Sequence, residues 1–288
     1  MNTARAADYG DAYYADYSAD HIVYEHNAQW QAFFGGVADR LIADFAPKTT
    51  LDAGCAIGLL VEALRDRGVD ADGIDFSEFA IARARDDMRG HLTLGSITEP
   101  LQRRYDLITC LEVLEHLTPQ DADKAIANLC TFTDNLIVSS TPMHYRDPTH
   151  TNIHPQEYWT ERFARHGFIR DVDYDASYIV AWAARYRRSS APIHRVVADY
   201  DRAYSRMHFE LEERNALVME QMREIGELKQ RLEQLESRAG WSERPAARIA
   251  RRADDLGLKA APRGTLRHDL LASLYHAMQR LARRLPHD

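Results

Sequence analysis

The chain has 288 residues, 45% hydrophobic and 28% charged, with a formal net charge of −8. That balance excludes a disordered or fibrous chain and leaves room for one domain of about 200 residues plus an appendage. No apolar run reaches the roughly 18 residues that span a membrane, and the polar start, residues 1–17, lacks the apolar core of a signal peptide.

The first predicted element is a helix over residues 22–45, whose Trp30, Phe33 and Phe34 either pack into the core or cover a ligand pocket. Strands follow at 49–53, 71–75, 91–94, 105–110 and 135–139, with helices at 59–67, 77–88 and 119–130 between them. Ser77 is the expected cap of its helix and Gly68 a stop signal. Residues 168–174 and 178–185 are a final antiparallel pair. Strands alternating with helices predict a parallel sheet covered on both faces. Cys55, Cys110 and Cys130 are too few and too scattered for a disulfide framework or a zinc site, so they read as reduced, packed thiols in a cytoplasmic protein.

The turn after the first strand reads Leu51-Asp52-Ala53-Gly54-Cys55-Ala56-Ile57-Gly58, and the second strand ends in Gly73-Ile74-Asp75. A strand, a small-residue turn, a helix and an acid on the next strand are how a Rossmann-like sheet grips a nucleoside. Gly54 and Gly58 allow backbone and ligand to approach closely, and Asp75 can accept hydrogen bonds from both ribose hydroxyls. The dinucleotide pattern would need glycine where Ala56 stands. Asp52 repels a phosphate but attracts a cationic amine. S-adenosylmethionine (SAM) has an amine, a sulfonium and an adenosine, and no phosphate. An ordinary strand-turn-helix without ligand is the competing reading of this loop.

Residues 105–117, YDLITCLEVLEHL, resemble the fourth-strand motif of class I SAM-dependent methyltransferases, with its E-V-L-E-H ending. The spacing of Asp52, Asp75 and Tyr105 is also similar, and the resemblance covers residues 13–185. It implies a Rossmann-like α/β fold: a seven-stranded sheet, six strands parallel and one antiparallel, with helices on both faces. It also implies a SAM site built from Asp52, Ala53, Gly54, Cys55, Gly58, Asp75, Phe76, Ser96, Ile97, Leu111 and Glu112. Ser96 and Ile97 fall where the loop after the third strand flanks adenine. The acid usual there is absent or displaced to Glu99.

Methyl transfer is an in-line displacement that needs the acceptor held against the methyl group. An alcohol must also lose its proton to a base or to a metal-bound state. Glu112, Glu115 and His116 stand at i, i+3 and i+4, which one helical turn would place on one face. The loop 140–155 adds His144, His150 and His154. In one reading His116 or His150 is the base, oriented by a carboxylate, with Glu115 also a catalytic candidate. In the other, Glu112, Glu115, His116 and His150 hold a divalent cation (Mg or Mn); this E-x-x-E-H spacing resembles the metal site of small-RNA 2′-O-methyltransferases. In a third, Glu115 and His116 only cap a helix. The segment D-P-T-H followed by H-P-x-E-Y-W resembles methyltransferases of bacterial surface-polysaccharide gene clusters. That resemblance implies a glycan or glycolipid acceptor; a small molecule such as a quinone precursor, or a catalytically silent SAM-binding scaffold, is the alternative. No basic stripe suits extended nucleic-acid binding.

Beyond residue 190 the pattern changes. Val197, Tyr204, Leu211, Val218, Ile225, Leu232 and Ala239 recur every seven residues, and Tyr200, Met207, Arg214, Gln221, Leu228 and Leu235 follow at an offset of three. This predicts a coiled coil over 191–239 after a methyltransferase domain over 1–190, and hence a homo-oligomer, most simply a parallel dimer. A single amphipathic helix folded back on its own domain is the competing reading. Residues 240–288 hold ten Lys/Arg against five Asp/Glu, an amphipathic basic tail in an otherwise acidic chain. Such a tail suits an anionic membrane face or a contact with an assembly enzyme, peripheral at the inner side of the membrane.

Overall fold

The computed structural model describes Tyr13, residues 24–143 and residues 147–238. The first two residues of the predicted opening helix, His144 and the basic tail lie outside the described residues. Helix α1 (Ala28–Phe45) begins where the Asn27 side chain accepts the amide hydrogen of Trp30. Then come β1 (Thr49–Ala53), α2 (Leu59–Arg65), β2 (Asp70–Asp75), α3 (Glu78–Ala82), β3 (Leu92–Leu94) and β4 (Leu107–Leu111). Helix α4 (Pro119–Phe132) starts on a Thr118 cap with proline in its first turn, a position where the missing N–H costs nothing. Strand β5 (Asn135–Ser139), α5 (Gln156–Arg165), β6 (Phe168–Arg170), β7 (Ala184–Arg188) and α6 (Ile193–Arg238) complete the order.

The seven strands form one sheet in the order β3-β2-β1-β4-β5-β7-β6. Only β7 runs against its neighbours, so six strands are parallel and one is antiparallel. This is the Rossmann-like methyltransferase arrangement. The order reverses between β1 and β4, and ligands bind outside the carboxyl ends of strands at such a point. Two apolar layers hold the sheet. One gathers Val37, Leu41, Leu60 and Leu64 from α1 and α2; the other gathers Ile126, Leu129, Trp159 and Phe163 from α4 and α5. Each of these buried side chains contributes about 1.5–3 kcal/mol from removal of apolar surface from water.

Several boundaries differ from the sequence reading, each for a local reason. Tyr105 and Asp106 do not join β4. The Tyr105 hydroxyl donates to Asp72, and the Asp106 carboxylate accepts the amides of Lys48 and Thr49. The predicted helix over 77–88 stops at Ala82 because Arg85 leaves it for Asp66, Glu62 and Asp87; a 3-10 turn, Asp86–His91, follows. Ser77 does cap this helix, accepting from Ala80. Strand β6 ends at Arg170 because Asp171 turns the chain, its carboxylate accepting from Asp173 and Arg185. The final strand is Ala184–Arg188 rather than 178–185. Ala184 and Tyr186 face inward there, while Ile179 and Val180 pack against a cavity.

The chain divides into two units, Met1–Arg206 and Met207–Asp288, with the sheet in the first. In that unit Arg202 and Arg206 of α6 both bond to Asp173. All three cysteines are buried free thiols. No helix of the described residues is long and apolar enough to cross a membrane.

Candidate functional site

A cavity of about 470 Å³ opens at the carboxyl ends of β1, β2 and β4. Asp52 is buried, and the Thr109 hydroxyl donates to its Oδ1 at 2.6 Å. Burial pushes its carboxyl up to about 7 against that hydrogen bond, and the neighbouring Asp75 adds to the rise. Asp75, also buried, accepts the amides of Ala56 (2.8 Å, Oδ2) and Ser77 (2.8 Å, Oδ1), and burial raises its pKa. These amides fix the carboxylate at the cavity floor and leave it acceptor capacity for a ligand.

Gly54 has φ +86° and faces Val113; a Cβ there would collide with the valine side chain. Of the expected SAM residues, Asp52, Gly54, Cys55, Asp75, Phe76, Ser96, Ile97, Leu111 and Glu112 line the cavity. Ala53 does not, being fully buried in β1. Gly58 does not either: it caps α2, and a Cβ on it would lie 2.9 Å from Leu92. Its glycine serves strand-helix packing. Glu99 is also absent from the wall, whereas Thr98 and Asp121, which the sequence reading passed over, are on it. Tyr24, Trp30, Phe33 and Phe34 form an aromatic side of the same cavity, with Tyr24 and Trp30 centroids 4.9 Å apart.

The E-x-x-E-H segment is not one helical turn. Glu112 adopts φ +54° and its carboxylate accepts from Trp182 Nε1 at 2.8 Å. Helical geometry begins only at the short 3-10 turn Leu114–His116. The left-handed residue therefore turns Glu112 away from the group that Glu115 and His116 form with His150. In that group the candidate ligand atoms lie within 4.8 Å of one another, and Glu112 is not part of it.

Glu115 is fully buried, and its Oε1 accepts the Thr141 amide at 3.2 Å. Its Oε2 has no hydrogen-bond partner among the described residues. Burial, with Glu112 nearby, pushes its pKa well above the usual carboxylate range. The Glu115 carbonyl accepts from Thr151 and Asn152 and so ties the loop after β5 to the turn after β4.

His116 lines the cavity, and burial, with His150 beside it, pushes its pKa down to about 4. The carboxylate linked to its ring is Asp147, through Thr149. The Thr149 hydroxyl donates to Asp147 Oδ1 at 2.6 Å and lies 3.0 Å from His116 Nδ1. A hydroxyl has one hydrogen, so with that hydrogen on Asp147 the Thr149 oxygen is placed to accept from the Nδ1–H form of the ring. Nε2 is then the basic nitrogen. His150 stands 3.6 Å from Asp147 Oδ2, its ring 4.6 Å from that of His116.

The sheet order, the switch-point cavity and the paired acids at its floor are the arrangement of a methyltransferase domain. The family model described as a methyltransferase domain matches residues 24–171, and the chain belongs to that family. Over 84 residues it is 39% identical to the ubiquinone biosynthesis O-methyltransferase of Pseudomonas paraeruginosa, a stretch covering 26% of this chain and 36% of that protein. Over 88 residues it is 34% identical to the Nitrosomonas europaea protein of the same name, covering 27% and 37%. The chain thus spans about a third of the length of the curated relatives it matches. The SAM-bound magnesium protoporphyrin IX methyltransferase of Synechocystis PCC 6803 is 21% identical, with a TM-score of 0.49 over 66% of this chain and 100% of that one.

Proposed function

We propose that this chain transfers a methyl group from SAM to a hydroxyl on a small, apolar ring-bearing acceptor of the quinone-precursor kind. The observation that supports this most is the aromatic wall. Tyr24, Trp30, Phe33 and Phe34 share one cavity with Asp75 and His116, so a flat ring can be desolvated there beside the proton-handling histidine. The curated relatives, named as O-methyltransferases of ubiquinone biosynthesis, support a hydroxyl acceptor over a limited stretch. They lend nothing to the glycan acceptor that the loop motif suggests.

When bound, SAM supplies a methyl group already activated by its sulfonium. Asp75 holds ribose hydroxyls through the lone pairs its amide partners leave available. Asp52 meets the amine, and that positive charge favours its ionised form against burial. His116, held in one tautomer by Thr149 and Asp147, offers Nε2 either as base toward the acceptor or, were a cation bound, as its ligand, in which case the ion-bound hydroxyl would lose its proton to solvent.

Glu115, His116 and His150 also fit a divalent cation. Their donor atoms converge, and Glu115 Oε2 is buried with no hydrogen-bond partner among the described residues. Two imidazoles and one carboxylate suit a first-row transition ion such as Mn better than Mg. Such an ion would lower the pKa of the acceptor hydroxyl. Asp147 and Thr149 would orient its histidine ligands.

The test uses SAM labelled on its methyl group, offered separately with catechol-type quinone precursors and with a polysaccharide-lipid fraction, each with and without chelator. Label in the ring acceptor is expected, with loss in chelator and recovery on adding Mn. Label in the glycan fraction alone would overturn the acceptor, and undiminished transfer in chelator would overturn the metal.

A further inference from the structure

Residues 207–235 of α6 carry an apolar seam that nothing described in their own unit covers. Leu211, Leu228 and Leu235 are 53%, 59% and 59% exposed, and Met207 is 63% exposed. They share the three-and-four spacing with Val218, Ile225 and Leu232 on one uninterrupted helix. We propose that this segment pairs with the same segment of a second copy as a parallel, in-register, two-stranded coiled coil.

Charge supplies the choice of partner and direction. In a parallel pair, the residue just before each first seam position faces the residue five further on in the other chain. Glu224 then meets the partner's Lys229. The Glu224–Lys229 pair occurs twice across the two-fold axis. One repeat earlier the same relation joins Leu217 to Met222, which are apolar and exposed. They flank Gln221, one of the two polar residues of the seam, and add dry contact beside it. Before that, Glu210 faces Asn215. No like-charged pair arises among these three flanking pairs. Arg214 meets its own copy, and Glu210, one turn before it on the same helix, supplies counter-charge. An antiparallel pair would set like-lettered positions against each other and lose the five-residue complementarity. Val218 and Ile225 at the first position with Leu228 and Leu235 at the second favour two strands over three or four.

The experiment uses the full chain. Sedimentation should give twice the 32.9 kDa of one chain. Leu228→Glu with Leu235→Glu should halve that mass and leave SAM affinity unchanged, which shows the first unit is intact. Leu228→Cys should cross-link quantitatively to itself under mild oxidation, since in-register parallel strands bring that position against its own copy. The native thiols are buried and give little background. Lys229→Glu should raise the dimer dissociation constant at least tenfold, and adding Glu224→Lys should restore it. A monomeric wild type, a higher oligomer, or a dimer that survives the double glutamate variant overturns the pairing. A dimer in which Leu228→Cys does not cross-link overturns its direction.

Discussion

Thr149 Oγ1 lies 3.0 Å from His116 Nδ1 and gives its own hydrogen to Asp147, an arrangement that favours the Nδ1–H form of the ring and leaves Nε2 basic. Thr149→Val keeps the shape and removes the relay. The imidazole then samples both tautomers, while the bonds of Thr151 and Asn152 to the Glu115 carbonyl still tie the loop to the turn after β4. Turnover is expected to fall about 10–100-fold, within the range of a general acid–base contribution, with SAM affinity unchanged. Thr149→Ser should restore most of it. Nitrogen NMR of the His116 ring checks the cause directly: a single Nδ1–H tautomer in wild type and a mixture in the valine variant.

Gly54 and Val113 illustrate how the floor of the cavity is shaped. Gly54→Ala puts a Cβ both in a left-handed conformation and into the valine side chain. The expected cost is about 1–3 kcal/mol in stability, with a loss of SAM binding larger than the stability change explains. Val113→Ala in the same chain removes the collision but not the positive φ, so it should recover part of the stability. Thermal melts with and without SAM separate the two effects.

Asp52 gives a pH dependence with a defined sign. Its carboxyl is raised to about 7 in the folded state, above its ordinary value near 4. The unfolded chain therefore releases this proton first, and the stability associated with the group falls as pH rises from about 4 to 7. Asp52→Asn removes that loss, so the ligand-free variant should be more stable than wild type at pH 8 by about 1–3 kcal/mol. It should also bind SAM more weakly. Wild-type affinity should rise severalfold between pH 6 and about 7.5, below the titration of a free amine, as Asp52 ionises. In the asparagine variant calorimetry should find a flat profile over that window.

Much of this was legible in the sequence because it is local. The turn from Asp52 to Gly54, Asp75 at the end of β2, and the Ser77 cap each sit within a few residues of what they organise. The relay was not legible. Thr149 and His116 are 33 residues apart and meet only because Glu115 ties the loop after β5 to the turn after β4. Glu112 was misplaced for a related reason. Spacing at i, i+3 and i+4 implies one face only if the backbone is helical from the first residue, and a left-handed Glu112 held by Trp182, 70 residues on, breaks that premise. Ile179 and Val180 read as strand because they are β-branched; packing on the cavity wall, not pairing, takes them.

SAM binding in this cavity with Asp75 as the ribose anchor is tested most directly by isothermal titration of SAM into the wild type and into Asp75→Ala. Hydrogen bonds to a charged group contribute roughly 1.5–3 kcal/mol each. The variant should therefore bind at least about tenfold more weakly, while Asp121→Ala on the same wall has a smaller effect. Equal affinity for wild type and Asp75→Ala, in a variant that still melts cooperatively, would contradict the assignment of the site.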